Sequence, residues 1–479
     1  MKYFVKKILR LAIPITVVLY FFVSCGDNET NKGPGEWDSK KPVEIITLFP
    51  DSGRVRDQVL IEGSNFGNDT SIIKVFFDDF EAKVIGTDGT SILALVPRIA
   101  GAIPDVDNLC KVTVKVGTAE PKVFANDFRY RVSASVTTFA GNGENVNDFS
   151  HGVLSRVRFA PVMIGVDSEF NIFVTTTDHH LLRLDERAGT ATILMTGGQG
   201  MNQHSSPSVT PDDVILLGKN DQRDRFTLLD PKDGWAPKPM MIRAWDQNGY
   251  DLPSNATHHY LLYCQTDGQY YSRYNSGQIV RIDPITWRAK IVGMTPSGNA
   301  YCGAFNPDNP SELWIGYDFG DGEGALRNSL ARVDVLEEMS WEEKKLEEDP
   351  EYDFETNAPP YALNTLWTFE KLTGATGGDH RDGPIAESQF RGIRQINFDK
   401  EAGVIYIGDS QNYCIRMVNV RREGMPVSTL IGIPKSAGDN DGKREDARFR
   451  EIHGIVADAD GVIYASDWNN YKIRRIAVE

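Results

Sequence analysis

Two stretches near the end of the chain repeat one another almost residue for residue, and this repetition narrows the possible folds more than any other feature. Asp382-Gly383 is followed by Ala386, by Gln389-Phe390-Arg391, by Ile405-Tyr406-Ile407-Gly408-Asp409-Ser410-Gln411-Asn412-Tyr413, and by Ile415-Arg416. Asp441-Gly442 is followed by Ala447, by Arg448-Phe449-Arg450, by Ile463-Tyr464-Ala465-Ser466-Asp467-Trp468-Asn469-Asn470-Tyr471, and by Ile473-Arg474. Self-similarity of this kind marks units that cannot bury an apolar face alone and stack on their neighbours. A weaker copy runs through Arg158-Phe159-Ala160-Pro161, Asn171-Ile172-Phe173-Val174-Thr175 and Leu182-Arg183-Leu184. Degenerate copies at 214–217 with 226–230, 260–264 with 278–283, and 312–316 with 330–334 read as second and third strands of further units. The count is six, with a seventh left open in the degenerate centre.

These units are similar to NHL repeats, and the resemblance implies one four-stranded propeller blade per repeat. The stretch 427–432 supplies an outer strand after one repeat, whereas the last repeat reaches Glu479 after three strands. Val136-Thr137-Thr138-Phe139-Ala140-Gly141 is the matching fourth strand, and pairing the two ends removes exposed sheet edges. The expectation is a six-bladed NHL-type propeller over 133–479, closed by its terminal strands. It carries an acidic insertion at about 337–360 whose short helix ends near Pro350.

Upstream, short alternating strands recur between turn signals at 43–46, 58–63, 73–77, 91–97, 111–116 and 127–130, the pattern of a β-sandwich. Pro50-Asp51-Ser52-Gly53, Ile61-Glu62-Gly63-Ser64-Asn65-Phe66-Gly67, Val96-Pro97 and Phe128-Arg129-Tyr130 resemble the turn, loop and strand motifs of IPT/TIG Ig-like domains. That resemblance implies an all-β spacer or interaction module over 42–132. Before it, 25–41 is polar and rich in Gly, Asn and Lys, the composition of a flexible tether.

The first residues combine Lys2, Lys6, Lys7 and Arg10 with an apolar run from Leu11 to Val23 and then Ser24-Cys25. This is the layout of a signal peptide over 1–24, too short for a membrane span of about 20 apolar residues. Phe22-Val23-Ser24-Cys25 resembles a lipobox, which implies a lipidated Cys25 at the mature N-terminus and an anchor made stable by several acyl chains. The acidic flank Gly26-Asp27-Asn28-Glu29 is similar to surface-export signals of lipoproteins from glycan-grazing Gram-negative anaerobes, and implies the outer face of the outer membrane.

A formal net charge of −16 disfavours nucleic acid as a partner, because phosphate binding rests on Lys and Arg. Cys110, Cys264, Cys302 and Cys414 are widely spaced and form no CxxC, so they define neither a zinc site nor a disulfide framework. Buried thiols are expected, with a Cys264–Cys302 bridge as the alternative.

No nucleophile elbow, Walker loop or HExxH occurs. The links between second and third strands should crowd round one mouth of the ring, and they offer His179, Tyr271, Tyr317, Asn412, Tyr413, Trp468 and Asn469 as candidate ligand contacts. Aromatic faces stack on sugar rings while amides and imidazoles satisfy hydroxyls, and Tyr and Trp also favour protein interfaces. The competing reading makes the Asn and Asp residues turn formers and the aromatics packing between units. His179-His180 and His258-His259 offer metal ligands, but adjacent residues on a strand point to opposite faces, so at most one of each pair serves a given site. Asp318, Asp321 and Glu323 alternate as calcium ligands do, although a polar turn has the same spelling.

The expected function is a non-catalytic accessory of an outer-membrane glycan importer, taking polysaccharide or the importer complex as partner. The alternatives are an extracellular lyase or hydrolase, with His179 or His453 and Asp178 or Asp318 as metal ligands, and a pure protein scaffold.

Overall fold

The computed structural model describes residues 36–99, 101–104, 108–144, 152–199, 205–219, 224–244, 257–318, 326–336, 350–351, 369–373, 377–399, 401 and 403–479. Period-two burial builds the N-terminal unit. Ile73, Val75 and Phe77 point inward from Ile73–Phe77, as Val112, Val114 and Val116 do from Val112–Val116, and the two strands pair with Val75 opposite Val114. They belong to a seven-stranded sheet ordered Glu44–Phe49, Gln58–Gly67, Gly89–Leu95, Phe80–Thr87, Ile73–Phe77, Val112–Val116, Lys122–Val123. A three-stranded sheet of Ser52–Gly53, Phe128–Tyr130 and Asn108–Cys110 completes the sandwich, with Phe128 meeting Phe77 edge to face at 4.9 Å between centroids. The strand Phe80–Thr87 was not expected from the sequence. Only Ala82 of its residues is buried, so its alternation is too faint to read.

Among the described residues six further sheets follow, numbered here I (152–195), II (208–241), III (243–294), IV (302–371), V (393–431) and VI (452–478). Their first strands, Pro161–Val166, Ser208–Val209, Leu262–Tyr263, Cys302–Asn306, Ile393–Asp399 and Ile452–Ala457, touch one another in that order, and the sixth touches the first. The described residues therefore form a closed ring of sheets. Sheet VI is completed by Ala134–Ala140, which pairs antiparallel with Lys472–Val478, as expected from the two ends of the domain. The second strands Ile172–Thr176, Val404–Asp409 and Ile463–Asp467 are buried along their whole length, because each sheet is covered on both faces by its neighbours. Between V and VI, for example, Ile415 and Leu430 pack with Phe449, Ile452 and Ile463.

Sheet III differs from the sequence reading. The run 260–264 was expected as a second strand, but Leu262–Tyr263 is the first, Tyr270–Arg273 the second and Gln278–Ile282 the third. An apolar run buried on both faces has no periodicity to tell a first strand from a second. Apart from Pro350 and Glu351, the expected acidic insertion and its helix lie outside the described residues, and so does Cys25. Cys110, Cys264, Cys302 and Cys414 are buried free thiols, and burial pushes Cys302 up to about 12. No helix among the described residues is long and apolar enough to cross a membrane.

The sandwich docks on one end of the ring. Arg98 donates to Asp399 (2.7 Å), the last residue of the first strand of V, and to the carbonyl of Gly461 (3.4 Å) in the turn after the first strand of VI. Phe80 and Ile103 pack against the core between V and VI. Asp399 is nearly fully buried, so removing its partner leaves a carboxylate short of compensation. Arg98→Ala is expected to lower stability by about 1–3 kcal/mol and to separate a sandwich transition from the ring transition in calorimetry. An unchanged single transition would contradict a docked interface.

Candidate functional site

The clearest repeats share a buried charge knot. Arg416 is fully buried, and its Nη1 donates to Asp409 (2.8 Å) and to the Gln389 carbonyl (3.1 Å). Its Nη2 donates to Asp382 (2.6 Å) and the Arg381 carbonyl (2.8 Å), and the guanidinium lies over Phe390 at 4.8 Å. Asn412 is buried in the same knot and donates to Asp409 (2.9 Å) and the Asp379 carbonyl (3.0 Å). Tyr413 then takes a left-handed φ of 59°. Sheet VI repeats the arrangement with Arg474, Asp467, Asn470 and Tyr471 (φ 56°). Asn412 is thus held as a turn former, as the competing sequence reading had it, and half-buried Tyr413 closes that turn.

Two other candidates belong to the core. Tyr271 lies inside a strand, fully buried, with its hydroxyl donating to Asp267 (2.7 Å). Tyr317 is also buried, donating to the Pro296 carbonyl (3.2 Å) beneath the Arg273 guanidinium at 4.9 Å. Both pack between sheets III and IV, so the placement of these tyrosines in surface loops is corrected. The reason is the one-strand shift in III and the burial of the end of the second strand in IV. His179 is half-buried in a tight turn of sheet I with φ 65°, and its N–H donates to the Thr176 carbonyl (3.0 Å).

What converges is a different set, at the end of the ring where first strands begin and second strands finish. This is the end opposite the sandwich. Arg394, second residue of its strand, lies with Nη1 3.0 Å from buried Asp318 and its guanidinium 5.0 Å over Tyr301. Tyr301 meets His259 edge to face at 4.7 Å, and Nε2 of His259 lies 3.3 Å from the Asn275 amide nitrogen. His258 instead stacks on Phe226 at 4.4 Å, so the adjacent histidines do part. At the equivalent place in sheet VI, His453 stacks on Trp468 (4.6 Å, 14° between planes), and its Nε2 lies 3.3 Å from Glu451. Asn469 donates to the other Glu451 oxygen (2.6 Å). Burial, with the positive charge of Arg394, holds the His453 imidazole neutral to below its ordinary range. Neither Nδ1 of His453 nor Nε1 of Trp468 has a hydrogen-bond partner among the described residues, a shortfall of about 1–3 kcal/mol each.

Of this cluster the sequence names Trp468 and Asn469 as ligand contacts, and His259, His453 and Asp318 for other roles. Tyr301, Arg394 and Glu451 were not expected from the sequence. The available signal was the repeat register, which aligns Gly392-Ile393-Arg394-Gln395 with Glu451-Ile452-His453-Gly454. The copies agree on the scaffold and differ at the mouth.

One residue along the strand from Arg394, Gln395 ties the first strands of I, V and VI together. Its carbonyl accepts from the N–H groups of Ile164 (3.1 Å) and Ile455 (3.1 Å), and its amide donates to the Ile164 carbonyl (2.7 Å) and to Ser206 Oγ (3.2 Å). Gly454 makes room for it, since a Cβ there would stand 2.7 Å from the Val162 carbonyl and 3.0 Å from the Gln395 oxygen.

A metal site fits poorly. Asp318 is committed to Arg394 and His453 to Glu451, and among the described residues no three His, Cys, Asp or Glu side chains converge. Asp321 and Glu323 lie outside the described residues.

Residues 42–130 match the IPT/TIG domain family. No curated protein matches the sequence. Three solved structures share the fold over 93% of this chain and all of their own. A Bacteroides thetaiotaomicron protein of unknown function is 19% identical with a TM-score of 0.69. An auxiliary nutrient binding protein from the same species is 22% identical (TM-score 0.54), and another from Bacteroides ovatus 20% (TM-score 0.55).

Proposed function

We propose that the chain is a non-catalytic surface lipoprotein, lipidated at Cys25, that binds a glycan beside an outer-membrane glycan importer. Residues 133–479 act in it as a six-bladed NHL-type propeller, with 42–132 as the IPT/TIG spacer. The observation that carries this reading is the mouth of the ring. Two aromatic pairs, His259 with Tyr301 and His453 with Trp468, flank Arg394, with Asn469 and Glu451 offering hydrogen-bonding groups at the rim. Flat rings beside fixed amides and carboxylates are the equipment for holding a polyhydroxylated ring. The mouth lies at the end of the ring opposite the sandwich, so a tether entering the sandwich would present it away from the membrane.

Two relatives in fold carry the description auxiliary nutrient binding protein, which agrees with an accessory role. The enzyme alternative is less favoured because Asp318 and His453 are engaged by Arg394 and Glu451. A partner protein is the rival occupant of the same aromatic surface.

The test is a glycan array probed with residues 26–479, with Trp468→Ala and Asn469→Ala beside it. Saturable binding that each variant weakens about ten-fold, with a cooperative melting transition retained, is the expected result. Absence of binding to plant, microbial and host glycans alike would sink the glycan reading and leave the protein partner.

A further inference from the structure

The chain is already fastened to the sandwich before its first strand begins. Residues 36–42 form no strand, yet Trp37 packs against the sandwich core. Its ring lies over Gly117 (φ 50°), where a Cβ would stand 2.8 Å from it, and its own Cβ lies against Gly67 (φ 78°), where the gap would be 3.0 Å. Bare backbone at these two positions gives the indole its seat. Asn65, itself at a left-handed φ of 60°, grips the turn that follows with both ends of its amide. Its Oδ1 accepts from the Asp38 N–H (2.8 Å), and its Nδ2 donates to the carbonyls of Asp38 (2.9 Å) and Lys41 (2.8 Å). The Lys41 N–H donates to the Asp38 carbonyl (3.0 Å), and the Asp38 carboxylate accepts from the Lys40 N–H (3.0 Å). A segment that served only as a link would leave these backbone groups to water.

The strand register shows which end of the sandwich is gripped. Gly67 pairs with Gly89 and Ile73 with Val116, which puts 67, 89 and 116–117 at one end. Gln58 pairs with Leu95 and Phe77 with Val112, which puts 95–98 and 77–80 at the other, where Arg98 and Phe80 meet the ring. The fastening therefore sits at the end away from the ring.

We propose that residues 37–42 are a strap that fixes where the membrane anchor joins the folded body, with Trp37 and Asn65 as its fastening. The role rests on the lipidated Cys25 of the reading above and goes beyond it. The sandwich holds the anchor line at one point, at the end facing the membrane, and the ring stands beyond it at a set height. Released, residues 36–42 would add about 24 Å of extended reach and free the body to tilt.

Two readouts test the strap, the first independent of any lipid. Protein of residues 26–479 is exposed briefly to trypsin beside Trp37→Ala and Asn65→Gly, with melting curves as a folding control. Glycine at 65 keeps the left-handed turn and removes only the amide. Intact mass follows the Lys40–Lys41 bond separately from other cuts. That bond is expected to be cut about ten-fold faster in each variant, because a docked segment is cut only when it opens. For the second readout the full lipidated chain is placed in vesicles of phosphatidylethanolamine and phosphatidylglycerol that contain an acceptor-labelled lipid. A donor dye sits on Ile285→Cys, a position 88% exposed in the parent, while Cys110, Cys264, Cys302 and Cys414 are buried. A narrow donor-to-membrane distance distribution is expected in the parent and a broader one in both variants. Cleavage of the parent as fast as of the folded variants overturns the fastening. A distance distribution that stays the same when the fastening is lost overturns the strap's role and leaves the lipid anchor intact. Equal vesicle association of a Cys25→Ser chain removes the lipid-anchor reading and the strap's role with it, and the trypsin result then still decides the fastening.

Discussion

Arg416→Met is expected to lower the stability of the ring by about 3–5 kcal/mol, the cost of stripping one partner from a buried ion pair. Arg416 and Asp409 are both fully buried, and methionine keeps much of the side-chain volume while removing every hydrogen bond to Asp409, Asp382 and the two carbonyls. Urea unfolding followed by circular dichroism measures the loss. Its pH dependence gives a second check. Burial raises the Asp409 carboxyl to about 6, against the pull of Arg416. A folded pKa above the unfolded value means that this group's contribution is full below the unfolded pKa and is lost as pH rises through the folded one. Without Arg416 the opposing pull is gone and the folded pKa moves further up. The deficit of the variant should therefore grow as pH rises above about 6, where folded parent has released this proton and folded variant still holds it. A deficit under about 1 kcal/mol that ignores pH would mean that the knot is not what fixes sheet V.

Gln395→Ala should cost a comparable amount, roughly 2–5 kcal/mol, from orphaned backbone groups and a small cavity. Gln395→Met separates the two causes, because it fills the space but restores none of the four bonds. We expect it to recover only a minor part of the loss. Gly454→Ala should be destabilising too, since the added methyl meets the Val162 carbonyl at 2.7 Å and backbone cannot swing aside. If Gln395→Met matched the parent protein, these four bonds would be incidental to the packing of the first strands.

The parts of the fold legible in the sequence are those where local chemistry repeats. The Asp-Gly, Phe-Arg and Asp-x-x-Asn-Tyr signals mark one knot twice, at Asp382 to Arg416 and at Asp441 to Arg474, and the structure shows that these residues hold each other. The closing strand Ala134–Ala140 could be read because its partner repeat lacked one. Sheet III could not be read in register. There the knot is replaced by Arg273 on the second strand, bonded to Thr295, Pro296 and Gly298, and the apolar run 260–264 gives no phase. The candidate cluster was half legible for a related reason. Loops announce themselves by composition, and so Trp468 and Asn469 were named. Tyr301, Arg394 and His453 open first strands, where a polar residue beside an apolar run looks like a strand boundary. Tyr271 and Tyr317 misled because a tyrosine at a strand end reads the same whether its ring faces solvent or the next sheet, and only the packing of III on IV decides it.

The most direct test of glycan binding at the mouth is amide hydrogen exchange of residues 26–479 with and without the best glycan from the array. Slowed exchange is expected at 299–301, 450–453 and 468–470, around the mouth, with the sandwich unchanged. Protection confined instead to Glu44–Phe49, the sandwich edge strand where Ile46 and Phe49 are 65% and 74% exposed, would contradict it and move the working surface to the N-terminal unit.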